Sequence, residues 1–210
     1  MLARRLALAI LFVAGIAAFA LFWGERSVER SVVSAVVPPK PRPHLSPTPS
    51  ATTTAAPYVI RHILDTGGPI RFGKWFWDEA GAADGPILIT VDVDAQVLSI
   101  FRGGWEIGTT AVIFGADHKP TPLGVFPITQ KDADHVSNLY GAPMPYMLRL
   151  TNDGVSIHGS PVEYGYATHG CIGVPIPFAK KLFAAVKLGD TVVVTRGERL
   201  AVGGAATAVR

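Results

Sequence analysis

Three textures of hydrophobic and polar residues follow one another along the chain. Leu6 to Trp23 is an unbroken apolar run of eighteen residues; as a helix at about 1.5 Å per residue it is roughly 27 Å long and nearly spans a bilayer core. Pro38 to Pro57 holds seven prolines and six Ser or Thr in twenty residues. With so few large apolar side chains it cannot bury enough surface to fold, and it reads as an extended linker. From Pro86 onward short apolar runs alternate with turns. Ile87 to Val91 predicts a strand, Asp92 to Ala95 a turn, Val97 to Phe101 a second strand, and Arg102-Gly103-Gly104 a turn into Trp105 to Ile113. Met147 to Leu150 and Val155 to His158 flank Thr151-Asn152-Asp153-Gly154, and Asp-Gly between apolar runs signals a hairpin. Pro177 opens the one soluble helix, with Phe178, Leu182, Phe183 and Val186 on one face and Lys180 and Lys181 pointing out. Gly189 ends it, and Thr191 to Thr195 predicts a last strand.

Tyr58 to Ala83 has no such rhythm, but Trp75, Phe76 and Trp77 are too apolar to be simply solvated and are expected to pack on the β-rich domain C-terminal to them. The expected organisation is a membrane helix over residues 1–24, a linker over 25–57, a segment packing on the core over 58–85, a mainly β domain over 86–197 and a flexible Gly/Ala-rich tail over 198–210. No internal repeat is present.

Charge changes the picture only outside the domain. The whole chain carries a formal charge of +3, which on its own suggests an acidic partner. Six basic and two acidic residues precede Tyr58, so 13 basic and 14 acidic remain from there on. The folded part is near neutral and lacks a basic stripe with interleaved aromatics, which argues against nucleic-acid binding. Arg4 and Arg5 precede the apolar run, while Glu25, Arg26, Glu29 and Arg30 cancel after it. The positive-inside rule then keeps the N-terminus cytoplasmic and exports the rest. The expected location is the cytoplasmic (inner) membrane, single-pass, with the domain in the periplasm or cell-wall space. Cleavage after Ala18-Phe19-Ala20 is the alternative, although the apolar run continues past it.

Candidate chemistry gathers in Ile157 to Pro175, IHGSPVEYGYATHGCIGVP. It contains the only cysteine, Cys171, with His158 and His169 on its N-terminal side. A thiol attacks as thiolate, and its ordinary pKa near 8.5 requires a histidine or backbone donors to help form it. Gly159 and Gly170 let backbone approach a substrate, so N–H groups around Cys171 are candidates for an oxyanion hole. A packed, inert cysteine and a zinc site built from His158, His169 and Cys171 remain open at this level, although paired zinc-ligand spacings are absent. Export favours chemistry, because an oxidising compartment threatens a single unpaired thiol.

These residues resemble the L,D-transpeptidase (YkuD-type) catalytic domain, whose signature is HG followed after a gap by SHGC, Ile or Val, and then Arg or Asn. The chain has His158-Gly159 and Thr168-His169-Gly170-Cys171-Ile172-Gly173. Thr121 to Phe126 (TPLGVF) is similar to the family's TPxGxF segment, and Ser137 to Arg149 (SNLYGAPMPYMLR) to the SNxY...APMPY segment of a proteobacterial branch. The likeness covers about Pro86 to Arg196. It implies a mainly β fold, a β-sandwich or barrel of mixed strands with one short helix after the cysteine, acting on the peptide stems of peptidoglycan without a cofactor or metal, as a monomer.

Carried over by position, the resemblance implies Cys171 as nucleophile, His158 as general base, the Gly159 carbonyl as orienter of the imidazole, His169 as support and Gly170 as backbone of the oxyanion site. Tyr140, Met144, Tyr146 and Thr168 are expected in the substrate groove. The implied reaction is a thioester on a tetrapeptide stem with loss of D-alanine, resolved by an amine to a cross-link, with carbapenems acylating the same sulfur. Two departures stand out: Thr168 replaces Ser and keeps the hydroxyl, while Gly173 replaces Arg or Asn and removes a side chain that could fix the loop or meet a carboxylate. Alternatives are an L,D-carboxypeptidase or exchange enzyme using the same acyl-enzyme, and a non-catalytic peptidoglycan-binding module.

Overall fold

The computed structural model describes residues 58–206. The expected membrane helix and linker, and the last four residues, lie outside them. In chain order the elements are β1 (Tyr58–Val59), β2 (Trp75–Trp77), β3 (Ile87–Asp92), β4 (Val97–Arg102), β5 (Trp105–Ala111), β6 (Gly124–Pro127), β7 (Gln130–Val136), β8 (Pro143–Arg149), β9 (Ser156–Gly159), β10 (Ile172–Val174), α1 (Ile176–Ala185), β11 (Thr191–Thr195) and β12 (Ala205–Ala206). The fold is mainly β with one short helix, as the sequence pattern led one to expect. A six-stranded sheet runs β2-β5-β4-β3-β11-β6 and a four-stranded sheet runs β10-β9-β8-β7. Both are mixed, because β11 lies parallel to β3 and β10 parallel to β9.

Successive side chains of a strand point to opposite faces, so a strand apolar at every position must be covered on both. β3 and β11 are such strands. Ile89, Val91, Val192 and Val194 enter the main core, whereas Leu88 and Val193 join Ile60 and Phe101 in a smaller cluster on the other face. The main core lies between the sheets, where Phe178, Ala179 and Leu182 of α1 meet Leu148, Ile157, Ile172 and Val174. Each fully buried side chain of this size contributes about 1.5–3 kcal/mol.

The aromatic segment before the first long strand is part of this architecture. β2 pairs antiparallel with β5, and Trp77 sets its ring edge-on to Phe178 with centroids 5.5 Å apart. The tail expected to be flexible from residue 198 is instead tied down as far as Ala206. β12 pairs with β1, and the Gly203 N–H donates to Ile60 O at 2.8 Å. Covering the smaller apolar cluster compensates the entropy of ordering a Gly/Ala-rich segment, which composition by itself does not reveal. A long-range bond also closes the helix: Lys131 of β7 donates through Nζ to the terminal carbonyls of Phe183 and Val186, at 2.7 and 2.5 Å.

Candidate active site

The four-stranded sheet sorts its residues by parity. Leu148, Ile157 and Ile172 face the core. Arg149 sits opposite Ser156, His158 opposite Gly173, and Cys171 lies one step before the Ile172–Ile157 pair. Alternation therefore puts Arg149, Ser156, His158 and Cys171 on the other face, where Arg149, His158 and Cys171 line a cleft of about 500 Å³. His135 and Met144, paired across β7 and β8, also line it.

His158 is held by its own neighbour. Its Nδ1 lies 3.0 Å from Gly159 O, and because a carbonyl only accepts, Nδ1 carries the proton and Nε2 is the basic nitrogen. The loop before Cys171 is clamped from both sides. Thr168 Oγ1 donates to Cys171 O at 2.5 Å, and Thr121 Oγ1 donates to Gly170 O at 3.0 Å while accepting from Gly115 N at 2.9 Å. Gly170 has φ +101°, a conformation that L side chains rarely adopt. The Cys171 thiol lies 3.9 Å from Gly154 O.

Burial pushes the Cys171 thiol up from its ordinary value, opposed by the backbone N–H of Ser156 and the positive charges of Lys119 and Arg149, with Asp153 adding to the rise. Burial pushes the His158 imidazole down, against its bond to Gly159 O, with His135 adding to the fall. Both shifts favour the uncharged form, so the resting site is a neutral thiol beside a neutral imidazole.

The model of the L,D-transpeptidase catalytic domain matches residues 86–194, just over half of the chain. This chain belongs to the L,D-transpeptidase family. It is 31% identical over 132 residues to L,D-transpeptidase 1 of Mycobacterium tuberculosis, covering 54% of this chain and 53% of that protein. The chain thus spans about half the length of the curated relatives it matches. A solved L,D-transpeptidase in complex with imipenem is similar at 25% identity and a TM-score of 0.50, over 52% of this chain and 58% of that one. An L,D-transpeptidase from Stackebrandtia nassauensis is similar at 27% identity and a TM-score of 0.50, over 55% and 59%.

Within the L,D-transpeptidase domain, Cys171, His158, Thr168, Tyr140 and Met144 come together at the cleft, with Gly159 and Gly170 directly behind it. His169 stands at the rim. Its ring stacks on Tyr140 with centroids 4.6 Å apart and meets His118 edge-on at 5.6 Å, so it does not join His158 and Cys171 as a ligand set. Among the described residues, no group of three or more His, Cys, Asp or Glu is placed to hold a metal ion. Tyr146 stands apart from the cleft. It has φ +58°, the Ala133–Tyr146 rung is missing from the β7–β8 ladder, and the ring packs on Phe183 of α1 at 5.9 Å.

Gly173 is explained by a neighbour rather than a vacancy. It exchanges both backbone hydrogen bonds with Ile113, and a Cβ there would lie 2.7 Å from Ile113 Cγ1. Sequence reasoning assigned no role to Thr121, His135, Lys119 or Arg149. Thr121 carried a signal, as the first residue of the TPLGVF segment; His135 and Arg149 lie far from the cysteine in sequence and reach the cleft through strand pairing, and Lys119 through the loop packed against Gly170.

Proposed function

We propose that this chain is a peptidoglycan L,D-transpeptidase whose nucleophile is Cys171. The observation that carries the reading is a thiol one residue before β10 and an Nδ1-locked imidazole on β9, its parallel neighbour in an L,D-transpeptidase domain, opening on one cleft. His158 Nε2 takes the thiol proton as sulfur bonds to the carbonyl carbon at the L-centre of the stem's diamino acid. Backbone N–H groups flanking Cys171 meet the oxyanion. The C–N bond to the terminal D-alanine then breaks, and the imidazolium returns its proton to the departing amine. An acceptor amine attacks the thioester, passes its proton to His158 and restores the thiol, leaving a new amide cross-link. A member of this family has been solved with imipenem bound, which supports a β-lactam as the probe.

The same reading puts the domain outside the cytoplasmic membrane, tethered by Leu6 to Trp23 through the Pro/Ser/Thr-rich linker. In the test, the full chain is incubated with a carbapenem and with purified tetrapeptide stems. An intact-mass adduct lost in Cys171→Ala, and a joined peptide product, are expected. An adduct that survives in Cys171→Ala sinks the cysteine mechanism, and released D-alanine without any joined product makes the enzyme an L,D-carboxypeptidase instead.

A further inference from the structure

Two cations line the cleft, Lys119 and Arg149, and the guanidinium of Arg149 is used neither by the fold nor by the proposed chemistry. Arg149 closes β8, and Ser156 of β9 separates it from Cys171 on the same face of the sheet. At two strand spacings of about 4.8 Å, its Cα stands roughly 10 Å from that of Cys171. Its Nε is buried without a hydrogen-bond partner, and among the described residues its guanidinium forms no ion pair. A buried N–H with no acceptor is costly, so such a group on a rigid strand is one that a ligand is expected to satisfy. Asp153 is the one acidic residue lining the cleft, and its carboxylate already accepts from Thr151 Oγ1.

An arginine fork matches a carboxylate through two parallel hydrogen bonds. In the reaction proposed above, on which this inference rests, the leaving D-alanine carries a free carboxylate one residue, or about 3.8 Å, beyond the carbonyl under attack. Lys119, the other cation lining the cleft, sits in the loop against Gly170. Gly173 offers no side chain for the task, and Ile113 fills the space beside it. We propose that Arg149 recognises the C-terminal carboxylate of the donor stem, holding the leaving residue so that its C–N bond lies over Cys171. The residue thereby selects donors that end in a free acid one residue past the scissile bond.

The test compares, in the full chain, a tetrapeptide stem with its C-terminal amide, which keeps the scissile bond and removes only the charge. Wild type is expected to favour the free acid in kcat/KM by at least about tenfold, the lower end of what a charge-assisted hydrogen bond contributes. Arg149→Gln should bring that ratio close to one, chiefly through KM, and Arg149→Lys should retain part of it. A cooperative thermal unfolding transition close to that of wild type shows whether each variant keeps a formed fold. Should Arg149→Gln fail that check, Arg149→Lys decides: a ratio below wild type supports the proposal, and an unchanged one overturns it. Equal use of acid and amide by wild type, or a full preference surviving in Arg149→Gln, also overturns it. Turnover of neither peptide by wild type removes the proposed function and this inference with it, whereas equal turnover of both removes this inference alone.

Discussion

At the residue scale, the site is a problem in where a proton rests. Cys171 is pushed up and His158 down, both first by burial, so at neutral pH little of the sulfur is thiolate. The sign is definite: a raised thiol pKa means that the reactive form grows as pH increases. Iodoacetamide alkylation of Cys171 should be slow at pH 7 and climb steadily into the alkaline range, followed by intact mass. A rate already at plateau below neutrality would reveal a preformed thiolate–imidazolium pair and overturn the neutral resting state. The candidate nucleophile and base were legible because cysteine occurs once and both histidines sit beside glycines. Thr121 was legible only as part of the TPLGVF segment, because the carbonyl it binds lies 49 residues away and nothing local points to that partner. Tyr146 misled for the converse reason: its sequence neighbours line the cleft, but a positive φ turns it onto α1.

At the element scale, β10 shows how a three-residue strand is specified by what it touches. Gly173 pairs with His158 on one side and Ile113 on the other, and the Ile113 side chain occupies the space a larger residue would need. Gly173→Asn should therefore overpack the strand and cost about 1–3 kcal/mol in urea unfolding. Combining it with Ile113→Ala should recover part of that loss, and purely additive costs in the double variant would sink the explanation. The strands with apolar repeats, β3, β4, β5 and β11, could be read from the sequence almost to the residue. β7 could not, because QKDADHV has no alternation of apolar residues. It becomes a strand only because β8 supplies its hydrogen-bond ladder and α1 supplies the carbonyls that Lys131 caps.

At the scale of the whole molecule, the apolar run and the linker predict a tethered enzyme with reach. The full chain should sediment with membranes and resist alkaline carbonate, and limited proteolysis within residues 38–57 should free the folded part. Recovery of intact, uncut chain in the soluble fraction would remove the anchor. The mainly β class and the helix after the cysteine were legible in sequence alone because periodicity is local, the family showed in motif segments that stand in order along the chain, and Cys171 and His158 stood out as candidates because a lone cysteine and histidines beside glycines are local marks. What only the tertiary structure decided is which distant residues meet: Thr121 clamping Gly170, His135 and His158 lining one cleft, Arg149 one strand beyond Ser156, and a tail folded back onto β1. Strand register sets those meetings, and register is set by how two sheets, a helix and two apolar clusters fit together, which no single stretch of the chain encodes.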